Sequence, residues 1–184
     1  MPILLREPDI HPVELLDRSE TGLEQSWWAM YTKSNREKEL MRRLHAMDLC
    51  YYAPTIAQKK RSPEGRVRPS FVPLFRNYVF FCGDGFDRYR ALTTNCISRD
   101  VPVHDAVELV RDLRQIQQLL ATGTPVAIES QIEAGRRVRI RSGPLTGYEG
   151  TVVQRKGRGR LLIAVKFIQQ GMSVEIGDFE VEAI

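Results

Sequence analysis

Cysteine and histidine are scarce in this chain, with three of each among 184 residues. Cys50, Cys82 and Cys96 are odd in number and widely spaced, which fits neither a disulfide framework nor a zinc ligand set, so they are expected as core or half-buried thiols. His11, His45 and His104 are scattered without a partner at ligand spacing, and no metal site is expected. No stretch approaches the roughly eighteen apolar residues that a membrane-spanning helix needs. The N-terminus also lacks a basic segment followed by an apolar one, so no secretory leader is expected, and a cytoplasmic protein is. Catalytic patterns are missing too. No Ser, Cys or Thr has a base at motif spacing, no paired carboxylates stand out, and Gly83-Asp84-Gly85 reads as a turn rather than a phosphate loop. Neither a catalytic residue nor a cofactor is expected, and a binding protein is the economical reading.

What is present is a modest basic excess, unevenly spread. The net charge is +4, and 42% of the residues are hydrophobic, enough to bury a core. Residues 1–26 hold two arginines against six acids, 27–133 hold sixteen bases against twelve acids, and 134–184 hold nine against five. Residues 1–26 lack sustained periodicity and read as a poorly ordered acidic extension. Two basic folded segments follow it.

The C-terminal segment carries the clearest pattern. Val138 and Ile140 alternate with arginines, Gly143-Pro144, Gly147 and Gly150 punctuate a turn, and Thr151-Val152-Val153 opens a second strand. Glycines here supply positive φ or close backbone approach. Leu161 to Phe167 is an apolar run of strand length, and Met172 to Ile176 alternates again. Four or five short strands in so few residues suit an SH3-like β-barrel over 134–184.

Upstream, Trp27 to Thr32 reads as a strand, and Ser34-x-x-Glu37 reads as a capping box opening a helix with Leu40, Leu44 and Met47 on one face. A strand over about Cys50 to Thr55, a basic loop from Gln58 to Pro69 and a buried strand from Tyr78 to Cys82 follow. Asp105-x-x-Glu108 caps a last helix with Leu109, Leu113, Ile116 and Leu120 on one face, and Gly123 and Pro125 stop it. The result is an α+β domain over 27–121 joined by a linker at 122–133 to the barrel.

Trp28-x-x-Tyr31-x-Lys33, Tyr52-x-Pro54, the tract Pro73-Leu74-Phe75-Arg76-Asn77-Tyr78-Val79-Phe80 and the glycine-punctuated C-terminal segment, in this order, resemble the NusG family of transcription elongation factors. The C-terminal segment is similar to the KOW motif of transcription and ribosomal proteins. The resemblance implies an N-terminal NGN domain, an α/β sandwich with an antiparallel sheet and flanking helices, and a C-terminal KOW barrel. It implies a monomeric, non-catalytic factor that binds RNA polymerase, promotes processive elongation or antitermination and recruits a partner through its barrel. The other reading that the residues allow is a KOW-type RNA-binding or ribosome-associated protein, which would have no need of the upstream aromatic tract.

The resemblance further implies that Tyr31, Phe75 and Tyr78 meet the clamp helices of the polymerase β′ subunit, the competing reading of each being a core side chain. Leu92-Thr93-Thr94-Asn95 is similar to the threonine pair with which specialised, RfaH-like members touch the β subunit, while the KOW glycines follow the general type, so both assignments stay open. Lys59, Lys60, Arg61, Arg66 and Arg68 would face DNA, including the non-template strand, or form a solvated hairpin tip. In the barrel, Phe167, Ile168, Gln170 and Met172 occupy the stretch with which general members meet Rho or a small-subunit ribosomal protein. Here that stretch lacks the usual Ile-Phe-Gly-Arg sequence. Arg155, Lys156, Arg158 and Arg160 form a second basic loop, read as a solubilising hairpin or an RNA contact.

Overall fold

The computed structural model describes residues 6–18, 26–61, 67–129, 135–155, 158–176 and 181–184. Contacts divide the chain into two compact units, Met1–Ala106 and Val107–Ile184. Both are built on antiparallel sheets.

The N-terminal unit contains β1 (Ile10–His11), α1 (Leu15–Arg18), β2 (Ser26–Thr32), α2 (Glu37–Ala46), β3 (Cys50–Tyr52), β4 (Thr55–Arg61), β5 (Val67–Pro73), β6 (Tyr78–Gly83), α3 (Gly85–Leu92) and β7 (Ile97–Pro102). Five strands pair in the order β1-β3-β6-β2-β7, and β4 and β5 form a separate ribbon. Strand alternation sorts the central strands into two faces. Met30 of β2, Tyr51 of β3 and Val79 and Phe81 of β6 join Leu40, Met41 and Leu44 of α2 in one buried cluster. Trp27 and Ala29 pair with Cys82 and Phe80 on the opposite face, and all four are also buried. A sheet covered on both sides explains why β6 is a continuous apolar run rather than an alternating one.

The C-terminal unit contains α4 (Ala106–Ala121, all but its first residue), β8 (Val126–Glu129), β9 (Arg136–Ile140), β10 (Glu149–Arg155), β11 (Arg158–Val165), a 3-10 turn (Lys166–Ile168), β12 (Gln170–Glu175) and β13 (Val181–Ala183). The strands form a six-stranded sheet in the order β13-β9-β10-β11-β12-β8. Val138, Ile140, Val153, Leu161, Ile163, Met172 and Val174 are buried, as the alternation implies. Gly147 has φ +89°, and a Cβ on Gly150 would lie 2.4 Å from the Leu162 carbonyl oxygen, so the two glycines serve the turn by different means.

Several expectations need correction. The proposed capping box does not form. The helix begins at Glu37 with Arg36 as its N-cap and no side-chain cap bond, because the Glu37 carboxylate reaches the Asn77 N–H instead. Much of the supposed basic loop is strand, since Lys59 pairs with Pro69 and Lys60 with Arg68 in the β4–β5 ribbon. Gly83-Asp84-Gly85 leads directly into α3, with the Asp84 side chain accepting the Asp87 N–H at 2.8 Å. Residues 6–18 of the acidic extension are folded: β1 pairs with β3, the Tyr51 hydroxyl donates to the Pro8 carbonyl at 2.8 Å, and Leu15 and Leu16 are buried. The expected linker 122–133 contains β8, paired with β12. Finally, α4 groups with the C-terminal sheet. The Gln115 side chain donates to the Glu149 carbonyl at 2.7 Å and accepts its N–H at 3.1 Å, while Asp112 accepts the Lys166 N–H at 3.2 Å.

Candidate polymerase-binding surface

Three adjacent strands of the N-terminal sheet place Tyr78, Tyr31 and Arg99 in one cross-strand row. The tyrosine rings meet edge to face with centroids 5.2 Å apart, and the Arg99 guanidinium sits 5.6 Å from the Tyr31 ring centroid. Edge-to-face pairing and cation–π attraction both orient the rings without burying them. Both tyrosines remain half-buried and Arg99 is exposed. The row therefore offers aromatic area and a cation at little ordering cost.

Phe75 differs sharply from its two companions. It is 1% exposed and packs edge to face on Phe80 at 5.5 Å. The structure thus brings Tyr31 and Tyr78 together at the surface and places Phe75 in the core beneath the turn. That turn is tightly held. Asn77 adopts φ 65°, its N–H donates to Glu37, its carbonyl accepts the Thr32 N–H at 2.8 Å, and the Tyr78 N–H donates to the Phe75 carbonyl at 3.3 Å. Asparagine tolerates the left-handed region better than most residues, so Asn77 supplies the reversal.

The threonine pair is likewise split. Thr94 is 2% exposed, and its hydroxyl donates to the Ala91 carbonyl at 2.7 Å, closing the end of α3. Thr93 is exposed and lies one helical face with Phe86 and Tyr89, at spacings of seven and four residues. Phe86 and Tyr89 are 69% and 65% exposed. Sequence reasoning missed both. Its only available signal was a helix start at Asp84 followed by aromatics out of phase with buried Ala91.

The side chains of Lys59, Lys60, Arg61 and Arg68, and all of Arg66, lie outside the described residues. The backbone register nevertheless sets Lys60 opposite Arg68 and Arg61 opposite Val67, so these bases lie together on one ribbon. In the C-terminal unit, Phe167 is 42% exposed, whereas Ile168 is 8% exposed, Met172 is fully buried and Gln170 is half-buried. Only Phe167 of that group presents a large apolar surface. In the second basic loop, Arg160 donates to the Ser173 side chain and carbonyl at 2.8 and 2.7 Å, so it braces β11 against β12. Lys156 and the side chains of Arg155 and Arg158 lie outside the described residues.

A groove of about 490 Å³ in the C-terminal unit is lined by Arg111, Asp112, Gln115, Arg137, Glu149 and Lys166 among others. Its two carboxylates are engaged, Asp112 by the Lys166 N–H and Glu149 by Arg139. Burial pushes the Asp112 carboxyl above its ordinary value, while the bond from Arg139 holds Glu149 below its own. Among the described residues there is no cluster of side chains suited to a metal ion and no helix long and apolar enough to cross a membrane.

The family model for the transcription termination factor NusG matches residues 25–134. No curated protein matches the chain in sequence. A crystal structure of an MjSpt4:Spt5 complex in conformation B is similar at 17% identity, over 86% of this chain and 97% of that one, with a TM-score of 0.29. The family match spans more than half of the chain and includes the strand bearing Tyr31, the turn bearing Asn77 and all of α3 and α4. The chain belongs to the NusG family of transcription factors.

Proposed function

We propose that this protein is a non-catalytic transcription elongation factor that binds RNA polymerase through the Tyr31–Tyr78–Arg99 row and promotes processive elongation. The observation carrying this reading is an aromatic pair held at the surface by a buried carboxylate and a left-handed asparagine, where a purely structural pair would be sequestered as Phe75 and Phe80 are. Aromatic side chains beside an arginine are the residues that dominate protein interfaces. The occupant proposed for this row is the pair of clamp helices of the β′ subunit. Thr93, with Phe86 and Tyr89 on the same face of α3, is proposed to meet the β subunit. The β4–β5 ribbon extends basic residues toward DNA, including the non-template strand, where each phosphate neutralised strengthens binding in a salt-dependent way.

The NGN domain in this reading is the N-terminal unit built on the five-stranded sheet, and the six-stranded C-terminal sheet belongs to a KOW domain of SH3-like barrel type that recruits a further partner through exposed Phe167. Rho and a small-subunit ribosomal protein are the candidates that family resemblance supplies. The test is single-round transcription on a pausing template with purified core polymerase. Addition of the protein is expected to shorten pauses and raise full-length product, and unchanged pausing at saturating protein would sink the proposal.

A further inference from the structure

Two of the three cysteines, thirty-two positions apart in sequence, are direct cross-strand partners: Cys50 of β3 lies opposite Cys82 of β6. Directly opposed residues in an antiparallel ladder project to the same face, with Cα atoms about 4.5–5.5 Å apart. A disulfide requires Cα atoms roughly 4.4–6.8 Å apart, so the sheet itself supplies a bridging geometry without moving its backbone. The two thiols carry no disulfide in the structure. They differ in environment: Cys82 is 3% exposed, whereas Cys50 is half-buried at the first residue of its strand. Burial, and then the neighbouring Cys50, push the Cys82 thiol up to about 12, and the half-buried Cys50 is the sulfur that an oxidant reaches first. Cys96 is 1% exposed, and its thiol lies 3.4 Å from the Thr94 carbonyl. It is paired with neither of the others and serves as an internal control.

We propose that Cys50 and Cys82 form a reversible cross-strand disulfide when the protein meets a peroxide oxidant, making this pair a modification site of the N-terminal unit. The Cys50 thiolate sulfur attacks one oxygen of hydrogen peroxide. The O–O bond breaks, a sulfenic acid forms on Cys50, and the departing hydroxide takes up a proton to leave as water. The Cys82 sulfur, giving up its proton, then attacks the sulfenic sulfur, and the S–O bond breaks as the S–S bond forms. The second hydroxide leaves as water. Two thiols have lost two electrons in total, and one peroxide has been reduced to two waters. Dithiol reductants reverse the step by exchange.

The crosslink closes a loop that holds the whole β4–β5 ribbon and the turn carrying Asn77. It therefore restrains the unfolded chain over the elements assigned to nucleic acid and polymerase, and it ties β6 to β3, the strand that β1 pairs with on its other edge. Trp27 is the partner of Cys82 on the other side of β6, so the bond forms next to a fluorophore.

The test uses the full chain treated with hydrogen peroxide, quenched and alkylated, then analysed by intact mass and peptide mapping. The expected result is loss of two hydrogens, a linked Cys50–Cys82 peptide, an alkylated Cys96, quenched tryptophan emission and a melting temperature raised by roughly 5–15 °C, all reversed by dithiothreitol. Cys50→Ser and Cys82→Ala, each measured separately so that one poorly folded variant does not decide the matter, are expected to lose the linkage and the temperature shift. Stable oxygen addition at Cys50 with Cys82 still alkylated in the wild type would overturn the proposal. So would a crosslink that runs through Cys96 or between two molecules.

Discussion

The Glu37 carboxylate, in the first turn of α2, accepts the backbone N–H of Asn77 at 2.8 Å, so a helix on one side of the sheet fixes the turn that delivers Tyr78. Glu37 is 6% exposed, and a hydrogen bond to a charged group is worth more than a neutral one. Glu37→Ala is expected to cost about 1.5–3 kcal/mol, and Glu37→Gln, which keeps an acceptor oxygen, less than half of that. Urea denaturation of the three proteins checks the order.

Asn77 itself sits at φ 65°. Asn77→Gly is expected to leave stability within about 0.5 kcal/mol, whereas Asn77→Val is expected to cost about 1–2 kcal/mol from left-handed strain alone. Equal melting temperatures for the two variants would show that the turn does not depend on this conformation.

Phe75 and Tyr78 are close in sequence and opposite in role. Phe75→Ala empties a fully buried site against Phe80 and is expected to cost about 3–5 kcal/mol. Tyr78→Ala, at a half-buried position, is expected to cost about 1 kcal/mol or less. Denaturant midpoints distinguish the two before any partner is added.

Asp112 gives the C-terminal unit a pH signature. Burial raises its carboxyl above the ordinary 3.8, so the folded state binds this proton more tightly than the unfolded chain does. Its contribution to stability therefore grows as pH falls through the raised value and is complete below the ordinary one. Asp112→Asn removes that titration. Acidification from neutral pH to about 4.5 is expected to stabilise the wild type relative to the variant, as read by urea denaturation at both pH values.

The basic ribbon makes a prediction in salt. Replacing Lys60 and Arg68, which the register sets opposite each other, by glutamine is expected to weaken binding to a forked DNA and to reduce the slope of log affinity against log salt by about one to two. A slope equal to that of the wild type would place DNA elsewhere.

Legibility in the sequence followed physical periodicity. Trp27 to Thr32 was readable as a strand because it is a short aromatic, apolar run, and Arg136 to Ile140 because alternation with burial survives there, Val138 and Ile140 facing inward between exposed arginines. Helix α3 was not, because Phe86 and Tyr89 put aromatics on its wet face and invert the usual stripe. Phe75 lies in a turn, where alternation has no force, so its burial could not be derived from Tyr78 at the start of β6. Glu37 looked like a capping residue because capping is local, while its actual partner is forty residues distant. Arg99 beside Tyr31 and Cys50 beside Cys82 are products of register, which a single sequence does not display.

Affinity for purified core RNA polymerase, measured for the full-length wild type and for Tyr31→Ala combined with Tyr78→Ala, tests the proposed interface most directly. The double variant is expected to bind at least roughly tenfold more weakly while its circular dichroism and cooperative unfolding stay those of the wild type. Wild-type affinity within about twofold in a folded double variant would contradict the assignment of this aromatic row to polymerase.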